Sequence, residues 1–142
     1  MIKSKLLNHE LMAGLSRLGH GHTFMVCDAG YPTPADGKII DLALVAGVPT
    51  VPQVLDAILS EMIVEEAVYC EEMETVSPEL FGLFKKKFAE QNRLTPQWAQ
   101  FELMGRQCSF FVRTGDLTPY GNIILKSASA VPRFNEKFNI NP

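Results

Sequence analysis

Two short segments of this chain gather side chains suited to chemistry. Gly19-His20-Gly21-His22 places two imidazoles on an i, i+2 spacing, and Asp28 follows eight residues after His20. The loop Asp116-Leu117-Thr118-Pro119-Tyr120-Gly121-Asn122 adds a phenol and a carboxamide. An imidazole changes charge near neutral pH, so His20 is a candidate general acid or base. Each residue also has a plain structural role open to it. A histidine between glycines suits a turn, and Asp28 ahead of Gly30 and Pro32 is a natural turn-former. Tyr120 and Asn122 can satisfy a tight turn, and His9 falls in the first, exposed turn of a helix.

Other chemistries fit the sequence less well. The glycines of the His20 segment lack the G-x-G-x-x-G spacing of a phosphate loop. No G-x-S-x-G nucleophile motif occurs. A metal site is a poor reading, because only His20 and His22 lie close together and Cys27, Cys70 and Cys108 form no C-x-x-C pair. The expectation is neither metal nor organic cofactor. Three cysteines, two of them in or beside apolar runs, read as buried reduced thiols of a cytoplasmic protein.

The elements that must position these residues are marked by caps and periodicity. Asn8 can cap a helix from about His9 to Leu18, with Leu11, Leu15 and Leu18 on one face and Gly19 as its stop. Thr23–Cys27 reads as a buried strand, and Ile39–Leu44 as a second one. Pro52 opens a helix whose apolar face is Val54, Leu55, Ile58, Leu59 and Met62. Val64–Tyr69 is a further strand. Ser77 as cap and Pro78 as first residue start a helix lined by Leu80, Phe84 and Phe88, and Thr95-Pro96 repeats the signal ahead of Trp98, Phe101 and Met104. Cys108–Arg113 and Asn122–Ser127 close the chain as two strands. Strands and helices alternate, and the strands are apolar rather than alternating. That pattern predicts a single layered α/β domain with a buried central sheet flanked by helices. A five-residue strand spans about 17 Å, so His20 and Asp28, at its two ends, need not touch within one chain.

Bulk properties bound the function. The chain has 142 residues, 46% apolar and 20% charged, enough for one core. A net charge of −3 argues against nucleic-acid binding, which needs clustered cations. Lys85-Lys86-Lys87 reads as a solvated helix face. No apolar stretch approaches the roughly 20 residues of a membrane span, and no signal peptide is expected. The polar tail 131–142 is read as a separate end, either disordered or an arm on a neighbour, and the domain as residues 1–130.

In combination, several blocks resemble the ribose pyranase / fucose mutarotase family. They are Ser16-Arg17-Leu18-Gly19-His20; Val26-Cys27-Asp28-Ala29-Gly30-Tyr31-Pro32; Gly47-Val48-Pro49 with Gln53-Val54-Leu55; Val112-Arg113-Thr114-Gly115-Asp116; and Pro119 through Lys126. They keep family order and spacing over residues 6–126. The resemblance implies a mixed sheet and mutarotation of a free monosaccharide through its open-chain aldehyde. It makes His20 the proton donor, and Asp28, Tyr120 and Asn122 sugar-contacting residues. It implies a homo-oligomer, a pentamer or decamer, with the site between subunits. Trp98 stands where ribose pyranases carry a sugar-binding histidine and fucose mutarotases an arginine. The indole either packs on the apolar side of a sugar ring, favouring a hexose or deoxysugar, or belongs to the core. The alternatives are a non-catalytic sugar-binding or transport-associated module, and an isomerase of phosphorylated sugars, for which no cationic cluster is apparent.

Overall fold

The computed structural model of the protein describes residues 2–129, so the tail lies outside the described residues. Helix α1 (His9–Ser16) begins where Asn8 Oδ1 accepts the Leu11 N–H at 2.9 Å. It stops two residues before Leu18, whose N–H instead closes a turn on the Leu15 carbonyl. Strand β1 (Thr23–Cys27) has the expected bounds and is buried from Phe24 to Cys27. Strand β2 (Ile39–Asp41) is shorter than Ile39–Leu44. Asp41 Oδ1 accepts the Ala43 N–H, and Leu44 then bonds to Val48, so the chain turns away from the sheet.

Helix α2 (Val51–Leu59) opens on a capping box between Thr50 and Gln53 and buries Val54, Leu55 and Ile58. Strand β3 is Val64–Val68. A five-residue helix α3 (Glu72–Val76) was not expected, being too short to show a period. Helix α4 (Pro78–Lys87) starts as expected at Pro78, but Ser77 does not cap it. The Ser77 hydroxyl donates instead to the Pro119 carbonyl at 2.7 Å, tying the helix start to the Tyr120 loop. Lys85 and Lys86 are exposed in the last turn, and Lys87 pairs with Asp56. Strand β4 (Asn92–Leu94) is short and exposed, with Leu94 its one apolar residue, so no apolar pattern announced it. Helix α5 (Trp98–Gly105) follows, and strand β5 is Phe111–Arg113 rather than Cys108–Arg113, because the Cys108 N–H closes the helix end on Gly105. Strand β6 (Ile123–Ser127) completes the sheet.

The sheet has six strands in the order β2-β5-β1-β6-β3-β4. All neighbours pair in parallel except β6, which runs antiparallel to both β1 and β3. The sheet is therefore mixed, and it lies within a layered α/β fold whose core includes Phe24, Met25, Leu55, Phe84, Phe101 and Val112. The single reversed strand has a consequence for function. It brings the start of β6 to the same sheet edge as the carboxyl ends of the other five strands. In open α/β sheets that edge is where ligands bind.

Candidate active site

Asp28 directly follows β1, and Tyr120 and Asn122 directly precede β6, so the antiparallel pairing of Val26 with Ile123 sets them side by side. Asp28 and Asn122 hold each other twice. The Asn122 Nδ2 amide donates to Asp28 Oδ2 at 2.8 Å, and the Asp28 backbone N–H donates to Asn122 Oδ1 at 3.0 Å. The other carboxylate oxygen of Asp28 accepts the Gly30 N–H at 2.7 Å. Asn122 is buried, with 2% of its surface exposed. Its amide acts by locking the orientation of the more accessible Asp28 carboxylate.

Tyr120 is the one non-glycine residue with a left-handed backbone among the described residues, at φ 57°. Such a conformation costs about 1–3 kcal/mol. Here the neighbouring contacts impose it: the Pro119 carbonyl is held by Ser77, and the Asn122 N–H donates back to the Tyr120 carbonyl. The phenol ring meets the Trp98 indole edge-on, with centroids 5.1 Å apart. Trp98 is half-buried, stacked on Phe101 at 5.5 Å and edge-on to Tyr31 at 6.0 Å. Its backbone N–H donates to both oxygens of Glu72, which caps α5 from the unexpected helix α3. Trp98 thus packs on the core through one side and borders the Asp28–Tyr120 region through the other. Tyr31 completes this aromatic wall, and burial followed by the nearby Glu102 raises its phenol pKa above the ordinary tyrosine value.

His20 lies at the opposite edge of the sheet, ahead of β1. The turn that presents it is braced by its neighbours: the Gly19 N–H donates to His22 Nδ1 at 3.1 Å, the Gly21 N–H donates to the Ser127 carbonyl at the end of β6, and the Ser127 N–H donates to the His22 carbonyl. His22 is therefore a structural residue of the turn. The His20 side chain is 60% exposed, and its Nε2 lies 3.0 Å from Glu65 Oε2. Lys126 Nζ approaches the other Glu65 oxygen at 3.4 Å. Of the five expected site residues, four gather at one sheet edge and His20 stands alone at the other.

Asp116 anchors the loop leading to Tyr120. Its two oxygens accept the Val51 and Thr118 N–H groups at 2.8 and 2.9 Å, and its carbonyl accepts the Ala29 N–H. Burial pushes the Asp116 carboxyl pKa up, but hydrogen bonds from Thr118, Val51 and Leu117 outweigh it and leave the pKa lowered. A groove of about 520 Å³ shares this edge, lined by Thr50, Pro52, Ser77, Leu80 and Asp116 among others. None of Asp28, Trp98, Tyr120 and Asn122 lines it, and Thr50, Ser77 and Asp116 already bond internally. Among the described residues no cluster of three His, Cys, Asp or Glu side chains is placed to hold a metal ion.

Comparison with known proteins places the chain in a family. Residues 1–130 match the RbsD / FucU transport protein family. The chain belongs to this family. It is 40% identical over 127 residues to a D-ribose pyranase of Geobacillus thermodenitrificans, covering 89% of this chain and 96% of the relative. A D-ribose pyranase of Rhodopirellula baltica is 42% identical over 132 residues, covering 89% and 97%. Among solved structures, Bacillus subtilis RbsD complexed with D-ribose superposes with a TM-score of 0.87 at 31% identity, over 90% of this chain and 98% of that one. The fucose mutarotase of Streptococcus pneumoniae in complex with L-fucose shares the fold, with a TM-score of 0.73 at 24% identity over 89% and 98%.

Sequence reasoning passed over Glu65 and Tyr31. Glu65-Glu66 inside a run read as a buried strand was the available signal, since paired carboxylates do not belong on a doubly covered strand.

Proposed function

We propose that the protein is a sugar mutarotase, an isomerase that interconverts the pyranose, furanose or α/β forms of a free monosaccharide such as ribose. The observation that carries this reading is the 40% identity, over nearly the full length of both chains, to proteins named D-ribose pyranase. The chemistry asks little of the protein. One base removes the anomeric hydroxyl proton, C1=O forms as the C1–O5 bond breaks, and the ring oxygen takes up a proton. Closing the aldehyde from either face, or through another hydroxyl, returns a different ring form. His20 is the proton-transferring residue of this proposal, and general acid–base transfer contributes about 10² to 10⁴ in rate.

Asp28, oriented by Asn122, is the carboxylate that grips sugar hydroxyls, with the Tyr120 phenol as a second contact. Trp98 forms the wall against which the apolar side of the ring packs. The wide separation of His20 from these residues supports a site completed between copies of the chain, with His20 of one copy facing Asp28, Tyr120 and Trp98 of the next. That arrangement requires a homo-oligomer, in this reading a ring of five or two such rings. No helix among the described residues is long and apolar enough to cross a membrane. Three unpaired cysteines support a reducing, cytoplasmic setting.

The test is magnetisation exchange between sugar forms by NMR, with ribose, fucose, galactose and glucose. Wild type is expected to accelerate exchange of at least one sugar, and His20→Ala to abolish the acceleration. Preference for fucose or a hexose over ribose would support the Trp98 wall, and equal turnover of ribose would remove it. Saturable binding without accelerated exchange would overturn the enzyme reading and leave a sugar-binding module.

A further inference from the structure

The His20 edge of the sheet carries an irregularity. Strand β3 pairs with β6 through Val64–Ser127 and then Glu66–Lys126, so two steps along β3 oppose one along β6. Glu65 is the extra residue of this bulge. Bulges bend a strand and re-aim a side chain, and they recur beside active sites. The burial pattern shows the effect: Val64, Ala67 and Val68 are buried, whereas both Glu65 and Glu66 turn outward. The re-aimed Glu65 carboxylate meets His20 Nε2 at 3.0 Å and is held from behind by Lys126. Hydrogen bonding from His20, then from Lys126, holds the Glu65 carboxyl below the ordinary glutamate range, so it is an anion at neutral pH.

Stability does not account for the arrangement. A solvent-exposed pair of this kind contributes little to stability. Geometry does: a carboxylate only accepts, so the His20 nitrogen facing it must carry the proton. The neutral imidazole then has a lone pair at Nδ1, for which the structure shows no intramolecular partner among the described residues. We infer that Glu65 is the positioning residue of His20, fixing the ring orientation and the Nε2–H tautomer so that Nδ1 is the atom that exchanges protons with the sugar. This rests on the mutarotase reading only for what the freed Nδ1 does; the tautomer itself is independent of it.

The experiment pairs ¹⁵N-histidine NMR with exchange kinetics on the full chain, for wild type, Glu65→Ala, Glu65→Gln and His20→Ala. At a pH where the imidazole is neutral, wild-type His20 is expected to show a protonated Nε2 and an unprotonated Nδ1. Glu65→Ala is expected to mix the tautomers and to lower kcat about tenfold, a part of the whole acid–base contribution, with KM nearly unchanged. Glu65→Gln, whose amide oxygen still accepts, is expected to restore tautomer and rate. A His20 tautomer and kcat unchanged in Glu65→Ala, with His20→Ala inactive, would overturn the role of Glu65 and leave the catalytic reading intact. Exchange undiminished in His20→Ala would overturn the catalytic reading itself, while the tautomer measurement would still decide the pairing.

Discussion

Asp116→Asn isolates the strut that links α2, the Asp28 loop and the Tyr120 loop. The side chain is 6% exposed and its two oxygens accept backbone N–H groups from Val51 and Thr118. An asparagine amide keeps one oxygen. The remaining bond loses its charge assistance, about 1 kcal/mol, and the other N–H faces an NH₂ group and goes unsatisfied, about 1–3 kcal/mol. Val51 is the first residue of α2, so removing the anion there costs about a further 0.3–1 kcal/mol through the helix dipole. The expected loss is about 3 kcal/mol at pH 7. The folded-state pKa of Asp116 lies below its ordinary 3.8. Its electrostatic contribution is therefore complete above that value and disappears as pH falls through the folded pKa. The gap between wild type and variant should be flat from pH 7 to 5 and narrow below 3.8. Urea unfolding followed by fluorescence of the single tryptophan, at fixed protein concentration and equal m-value, measures both quantities. A loss under about 0.5 kcal/mol at pH 7, or a gap that does not narrow in acid, would refute the reasoning, because a satisfied buried acceptor cannot be removed so cheaply.

Further outcomes follow from packing and from the thiols. Gly115→Ala would drive a Cβ into the Val48 and Val45 carbonyl oxygens, which are backbone and cannot rotate away, so its Tm should fall by roughly 10 °C. Gly82→Ala, in α4 with open space around its Cα, should instead gain up to about 1 kcal/mol, and thermal unfolding of the two variants side by side checks the contrast. Burial pushes the Cys27 and Cys108 thiols up to about 12 and Cys70 up to about 11. An aromatic disulfide reagent at pH 8 should therefore label none of them quickly in the folded protein and all three on unfolding; rapid labelling of one in the native state would contradict this.

Much of the framework was legible in the residues. The Asn8 cap, the prolines opening α2 and α4, and the unbroken apolar run of β1 are local signals, and local backbone physics acts on them directly. The family blocks brought His20, Asp28, Trp98, Tyr120 and Asn122 into view together, and the length of β1 indicated that His20 and Asp28 need not touch within one chain. Elements without a local signature escaped: α3 is too short for a period, and β4 is a three-residue edge strand paired with β3. Strand shortening at Ala43 and Cys108 came from turn hydrogen bonds that compete with the sheet. Tertiary pairing alone decided the rest. The reversed direction of β6 carries Asn122 to Asp28 and Lys126 to the His20 edge, and a bulge in β3 turns Glu65 toward His20. Each of these depends on which strand lies beside which, across separations of 45 to 94 residues. No local preference encodes such pairings, which form only when the assembled core selects one register.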